Sequence, residues 1–197
     1  MKTRKNLIIS PHTDDAVFSM GSHIVDTIGN NNTYTILSPL AGIPQDPAGR
    51  KKHTTLRKEH KEACEFLGAQ HIEGDFLDDV YPRPSLAELK KYLIQNCRGY
   101  DRIYIPLGIH HPDHILIRDI IIEAKIQYTH IYEEMPYNDL YPQLVIDNQY
   151  AFIPNGAKGI HTEHDPIKED VVGLYASQII GGEILKHLYL KETIWEM

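Results

Sequence analysis

The chain has 197 residues, two cysteines and a formal net charge of −7. That length gives one domain's worth of sequence, 1–197, with a substantial core, and the acidic balance with no basic stripe excludes nucleic acid as a partner. No window approaches the run of about 20 apolar residues that spans a bilayer, and Leu7-Ile8-Ile9 is too short for a leader. The chain therefore reads as cytoplasmic with no membrane segment.

Apolar runs of strand length alternate with amphipathic stretches, the pattern of a parallel sheet with crossover helices. Strands are expected at Leu7 to Ser10, Thr33 to Ser38, Gln70 to Gly74, Arg102 to Pro106 and His130 to Glu133. Helices are expected at Ala16 to Ile28, Thr54 to Leu67, Ser85 to Gln95 and Pro112 to Ala124. Gly68 reads as a helix stop, and Ser85 with Glu88 as a capping box. Arg50-Lys51-Lys52-His53 reads as a solvated loop ahead of the second helix. Cys64 and Cys97 fall on separate helices without paired spacing and read as packed thiols. Past Tyr137 the pattern predicts an extended stretch from Leu144 to Ile153, a Gly-rich loop and one last helix from Pro166 to Leu188. The loops Leu40 to Lys52 and Asn155 to Asp165 are long enough to overhang a site. The fold class is α/β, a Rossmann-like doubly wound, mostly parallel sheet. Its commonest strand order, 3-2-1-4, brings the carboxyl ends of strands one and four together at the switch point.

Those two strand ends carry the chemistry. After the first comes Pro11-His12-Thr13-Asp14-Asp15, and after the fourth His110-His111-Pro112-Asp113-His114. A catalytic zinc keeps three protein ligands and one open position. His12, Asp15 and His114 fill that role, with Asp14 left beside the water. His111, one turn before His114, can face an oxyanion or a leaving nitrogen.

The two clusters resemble the signature motifs of the zinc-dependent N-acetylglucosamine deacetylase family, the phosphatidylinositol-glycan L and LmbE-like enzymes. The resemblance implies Zn²⁺, with Fe²⁺ as a second admissible ion. It implies His12, Asp15 and His114 as ligands, Asp14 as general base, His111 as transition-state stabiliser or proton donor, and Asp113 as the residue orienting His111. Arg57 with Ala63, Leu67 and Gly68, the segment Tyr132 to Tyr137, and Lys168 with Tyr175, Ser177 and Gln178 extend the likeness. Arg57 and Tyr137 are the expected substrate contacts. The sequence departs from the pattern at Ala16 and His60, where the family usually has glutamates. The implied activity is removal of an acetyl group from an N-acetylated small molecule, most naturally an N-acetylglucosamine-type conjugate, with self-association left open.

Three other readings remain at this point. The same machinery could cleave another small amide. Two histidines and a carboxylate also make the facial triad of Fe(II) oxygenases, although those sites sit in jelly rolls. Paired aspartates after a first strand suit a receiver-like Mg²⁺ module, which needs Asp75 as acceptor and a lysine where Glu133-Glu134 stands. His110, His161 and His164 read as bystanders.

Overall fold

The computed structural model describes residues 2–82, 85–179 and 184–197. Its strands are β1 (Arg4–Ile9), β2 (Asn32–Ser38), β3 (Gln70–Glu73), β4 (Arg102–Pro106), β5 (His130–Tyr132), β6 (Lys158–Thr162) and β7 (Glu192–Glu196). The helices are α1 (Asp15–Thr27), α2 (Pro47–Leu67), α3 (Leu86–Asn96), α4 (Pro112–Glu123), α5 (Tyr137–Leu140), α6 (Pro142–Phe152), α7 (Pro166–Gly173) and α8 (Leu185–Leu188). One sheet runs β3-β2-β1-β4-β5-β7-β6. The first five strands in that order are parallel, and β7 is antiparallel to both β5 and β6. The doubly wound order expected for the first four strands is present, and β1 and β4 are neighbours.

Alternation along the strands divides the core between the two faces of the sheet, because successive side chains point to opposite sides. Ile8, Ile36, Tyr104 and Tyr132 pack on one side with α1, α2 and α7 residues such as Met20, Cys64 and Val171. Leu7, Ile9, Leu37, Ile103 and Ile105 pack on the other with Leu89, Leu93, Ile117 and Ile121 from α3 and α4. Both faces are covered, which is why these strands read as nearly continuous apolar runs. The two cysteines are buried thiols, Cys64 on the first side and Cys97 on the second.

Several expectations need correction. Helix α2 begins at Pro47, seven residues before Thr54, because Asp46 caps it by accepting a hydrogen bond from Gly49 N at 2.7 Å and Pro47 stands in the first turn. The basic cluster Arg50 to His53 is therefore helical, and His53 is buried with Nε2 3.5 Å from Asp78. Leu144 to Ile153 is not extended: α6 covers it through Phe152 after Pro142 starts a new helix. The long C-terminal helix stops at Gly173 and a short helix follows at Leu185–Leu188; residues 180–183 of the expected span lie outside the described residues. Strands β6 and β7 were not foreseen, and β6 occupies the middle of the expected loop Asn155 to Asp165. Gly68 does end α2 in the left-handed conformation, at φ 69°. Ser85 caps α3 by accepting from Glu88 N at 3.4 Å. Among the described residues no helix is long and apolar enough to cross a membrane.

Candidate metal and catalytic site

Both motifs turn from strand into helix at the carboxyl ends of β1 and β4. Ser10, fully buried, knits the first turn: its hydroxyl donates to His12 O at 2.5 Å and accepts from Ala16 N at 2.9 Å. The interaction at position 16 is thus a backbone one, and the Ala16 methyl packs in the core. Asp14 occupies the N-cap position of α1 but makes no capping bond with its side chain. A residue type that normally spends its carboxylate on helix N–H groups leaves it instead in a cleft of about 220 Å³.

His111 caps α4. Its Nδ1 accepts from the backbone N–H of Asp113 at 3.2 Å, which puts the proton of the neutral ring on Nε2. The ring lines the cleft as an N–H donor. The Asp113 carboxylate is 3.0 Å from His12 Nε2 and accepts from Asp79 N at 2.9 Å. Asp113 therefore meets His111 through its backbone and His12 through its side chain.

His114 is fully buried. Its Nδ1 lies 3.2 Å from Glu134 Oε1, which also accepts from Gly108 N and Ile109 N at 2.7 and 3.2 Å. A carboxylate behind a histidine is the usual support of a metal-binding imidazole, since it fixes the proton on the far nitrogen and frees the near one. The near nitrogen, Nε2, is buried and faces only the Asp15 carboxylate, with Oδ1 at 3.1 Å. A buried ring nitrogen facing a carboxylate oxygen is a place for a cation, a proton or a metal ion. Donor atoms of His12, His111 and His114 lie within 4.8 Å of one another, and Asp15 Oδ2 is 3.4 Å from His12 Nδ1. The residues fit a divalent ion.

The electrostatics show a site that favours positive charge, held by protons on the imidazoles when no ion is bound and released on metal binding. Burial pulls the His12 imidazole down, but Asp113, Asp15 and Asp14 outweigh it and raise its pKa well above the usual value. His114 is likewise lowered by burial and lifted by Asp15 and Glu134, to about 9. Burial raises Asp15, and the facing His114 and His12 bring it well below the ordinary carboxylate range. Asp14 goes the other way, raised to about 6 by burial and then by the Asp15 charge. The two adjacent aspartates are pushed apart in pKa, the arrangement that separates a permanently ionised ligand from a group able to accept a proton near neutrality. His111 is lowered by burial and by the charges of His12 and His114, which keeps it neutral.

The expected substrate contacts also reach the cleft. Arg57 and Tyr137 both line it. Arg57 Nε donates to Glu73 Oε2 at 2.7 Å, and the Tyr137 ring stands edge-on to His114 at 5.5 Å. Leu40 and Ala41 from the first long loop line it as well, whereas no residue of Asn155 to Asp165 does. His161 pairs with Thr193 and His164 with Glu169, both away from the cleft. His110 stacks on Tyr141 at 4.0 Å.

Sequence reasoning did not place Glu134 or Asp79 in the site and named Gln178 only within the family-like C-terminal pattern. Glu134 stands behind His114, and Asp79 and Gln178 line the cleft. Glu134 was visible only as part of a family-like segment. The receiver reading fails on geometry: Asp75 is exposed and salt-bridged to Arg57 at 3.3 Å, and Glu133 and Glu134 are buried where a lysine is needed.

Fold and site together define an α/β protein whose switch point holds a divalent-metal donor cluster, a spare carboxylate and a spare imidazole in one cleft. The chain belongs to the PIG-L family: the family profile, described as GlcNAc-PI de-N-acetylase, matches residues 7–125, more than half of the sequence. It is accordingly a hydrolase of the N-deacetylase class. Among solved structures it is similar to the deacetylase of the antimicrobial A40926 pseudoaglycone, with 23% identity over 100% of this chain and 97% of that one and a TM-score of 0.75. The zinc-inhibited teicoplanin deacetylase is 21% identical over 97% of both chains, with a TM-score of 0.73. The N,N'-diacetylchitobiose deacetylase of Pyrococcus horikoshii is 20% identical over 98% of this chain and 84% of its own, with a TM-score of 0.56. These likenesses establish the fold. No curated relative matches.

Proposed function

We propose that this chain is a zinc-dependent deacetylase of an N-acetylated hexosamine carried on a larger small molecule, with His12, Asp15 and His114 as the metal ligands. The observation that carries the reading is the His114 imidazole, held from behind by Glu134 and aimed through Nε2 at Asp15, beside His12. When bound there, zinc polarises the amide carbonyl and acidifies a water. The substrate class rests on the family description and on similar structures whose names give teicoplanin, the A40926 pseudoaglycone and N,N'-diacetylchitobiose.

The protein's own groups complete the reaction. Asp14, uncapped and raised to about 6, takes the proton of the attacking water. His111 presents Nε2–H to the oxygen that gains charge as the carbonyl becomes tetrahedral. Collapse breaks the C–N bond, and the proton held by Asp14 passes to the departing amine, giving acetate and a free amino sugar. Asp113 steadies His12 with its carboxylate and His111 with its backbone N–H. Arg57, pinned by Glu73, and Tyr137 bound the cleft and bear on the sugar.

The test is acetate release by zinc-loaded protein across a panel of N-acetyl sugars and N-acyl amines. An N-acetyl-hexosamine substituted at its anomeric carbon should give a higher kcat/KM than an N-acetylated amino acid, because binding of the remaining sugar orients the amide. A linear N-acyl amine hydrolysed faster than every sugar would overturn the substrate class. Absence of turnover on any amide would overturn the reading as a whole.

A further inference from the structure

We propose that His60, His71 and Glu73 form a second divalent-metal site, suited to zinc and separate from the catalytic cleft. His60 lies on α2, and His71 and Glu73 lie two apart on β3, so strand alternation turns both toward the same side. Donor atoms of the three lie within 4.8 Å of one another. None of the three lines the cleft, although Arg57, one turn before His60, does.

The hydrogen-bond arrangement leaves each residue with a donor atom to spare. Tyr175 has one hydroxyl hydrogen, and it goes to Thr13 O at 2.9 Å. His60 Nδ1, 3.0 Å from the same hydroxyl, must then be the N–H that donates to it. That leaves the lone pair of the neutral ring on His60 Nε2, 3.7 Å from the Cys64 sulfur. His71 Nδ1 is buried without a partner. Glu73 gives Oε2 to Arg57 and keeps Oε1 buried and unpartnered. Two unpartnered buried polar atoms and a directed lone pair on three neighbouring side chains are unfavourable as they stand.

Two imidazoles and a carboxylate are a zinc donor set. Zinc holds nitrogen and oxygen at about 2.1 Å, which sets tetrahedral donors about 3.4 Å apart, so the three side chains close on the ion by roughly 1 Å. A fourth position stays open to water or to the bordering thiol. The family pattern usually has a glutamate where His60 stands, so this donor set belongs to the present sequence. Occupancy would tie the edge strand β3 to α2. It would also brace the catalytic turn from behind, through His60, Tyr175 and the Thr13 carbonyl on one side and through Glu73 and Arg57 on the other.

The experiment is zinc stoichiometry after chelator stripping, reloading and exhaustive dialysis, with thermal melts on the same samples. The wild type is expected to hold two equivalents, His71→Ala one, His114→Ala one and the double variant none. Zinc should raise the Tm of His114→Ala but not that of the double variant. His71→Gln, which keeps a polar side chain of similar reach, replaces His71→Ala if circular dichroism shows the alanine variant unfolded. A wild type that saturates at one equivalent retained by His71→Ala overturns the proposal, as does a His71 variant that still binds two. A single wild-type equivalent lost in the His71 variant and kept in His114→Ala would support this site while overturning the cleft as the metal centre.

Discussion

The two ends of the sheet treat histidine in opposite ways. At the carboxyl ends of β1 and β4, His12 and His114 face Asp15, Asp113 and Glu134, and carboxylate charge overcomes burial and raises both imidazoles. At the other end, His23 and His130 sit among Tyr34 and Tyr104 beside Arg102, and burial and the guanidinium lower both to about 4. Histidine content therefore says nothing about function. The sign of the charge facing each ring decides, and β1 and β4 each exit into a turn that sets carboxylates against His12 and His114.

The largest effect that would break this contrast lies in the carboxyl-end cleft. Asp14→Asn and His111→Ala should each lower kcat by about 10²–10⁴-fold, the range for a lost acid–base group, while metal content stays near that of the wild type. Near-normal turnover in either variant, measured on the best sugar from the panel, would remove that residue from the chemistry. Equal loss of metal and rate would instead make it a ligand, a role the nearness of His111 to His12 and His114 makes worth testing.

A smaller effect sharpens the same contrast one layer out. Glu134→Gln keeps the hydrogen bonds from Gly108 N and Ile109 N possible but removes the charge behind His114. Metal affinity should drop about 10–100-fold, the usual consequence of losing a supporting carboxylate, with kcat at saturating zinc affected less. Competition with a chromogenic chelator measures it. Unchanged affinity would mean that Glu134 serves the loop backbone alone.

These differences in depth match what the sequence made legible. The Pro-His-x-Asp-Asp and His-Pro-Asp-His turns were readable because local spacing puts their groups at two strand ends, and the strand order joining those ends follows from the handedness of parallel crossovers. The support for His114 was not readable, since Glu134 lies 20 residues away and reaches it only after β5 pairs with β4. The C-terminal third was misjudged for a different reason. Strand β6 is the antiparallel edge of the sheet and β7 lies between it and β5, with polar residues such as His161 and Thr193 interrupting their apolar pattern. Helix α6, weakly amphipathic and β-branched in places, looks extended until Pro142 and the packing of Val145 and Phe152 against the core are taken into account. The start of α2 was missed although Asp46-Pro47 spells a cap and a first-turn proline.

The smallest effect comes from the opposite end of the sheet and carries a sign that the cleft histidines reverse. His23 is buried and neutral, with a folded pKa of about 4 against an ordinary value of 6.5. The unfolded chain therefore binds more protons than the folded one between those values. The stability from keeping His23 neutral is fully present above pH 6.5 and is lost as pH falls toward 4. At pH 5.5 the loss is about 1.4 kcal/mol, or tenfold in the folding equilibrium, and His130 acts in the same direction. His12 and His114, raised in the folded state, act in the other direction, so the wild-type profile alone mixes the two ends. The groups facing His23 are Tyr34, Tyr104, His130 and Arg102, and its backbone N–H donates to Glu192. His23→Gln leaves that backbone bond and removes the titration. Chelator-treated wild type and variant, unfolded in urea at pH 7.5 and pH 5.5, should differ in the pH-dependent part of their stability by about 1.4 kcal/mol, with the variant losing less on acidification. Equal losses would show that His23 does not resist protonation, and the contrast between the two ends of the sheet would then rest on His130 alone.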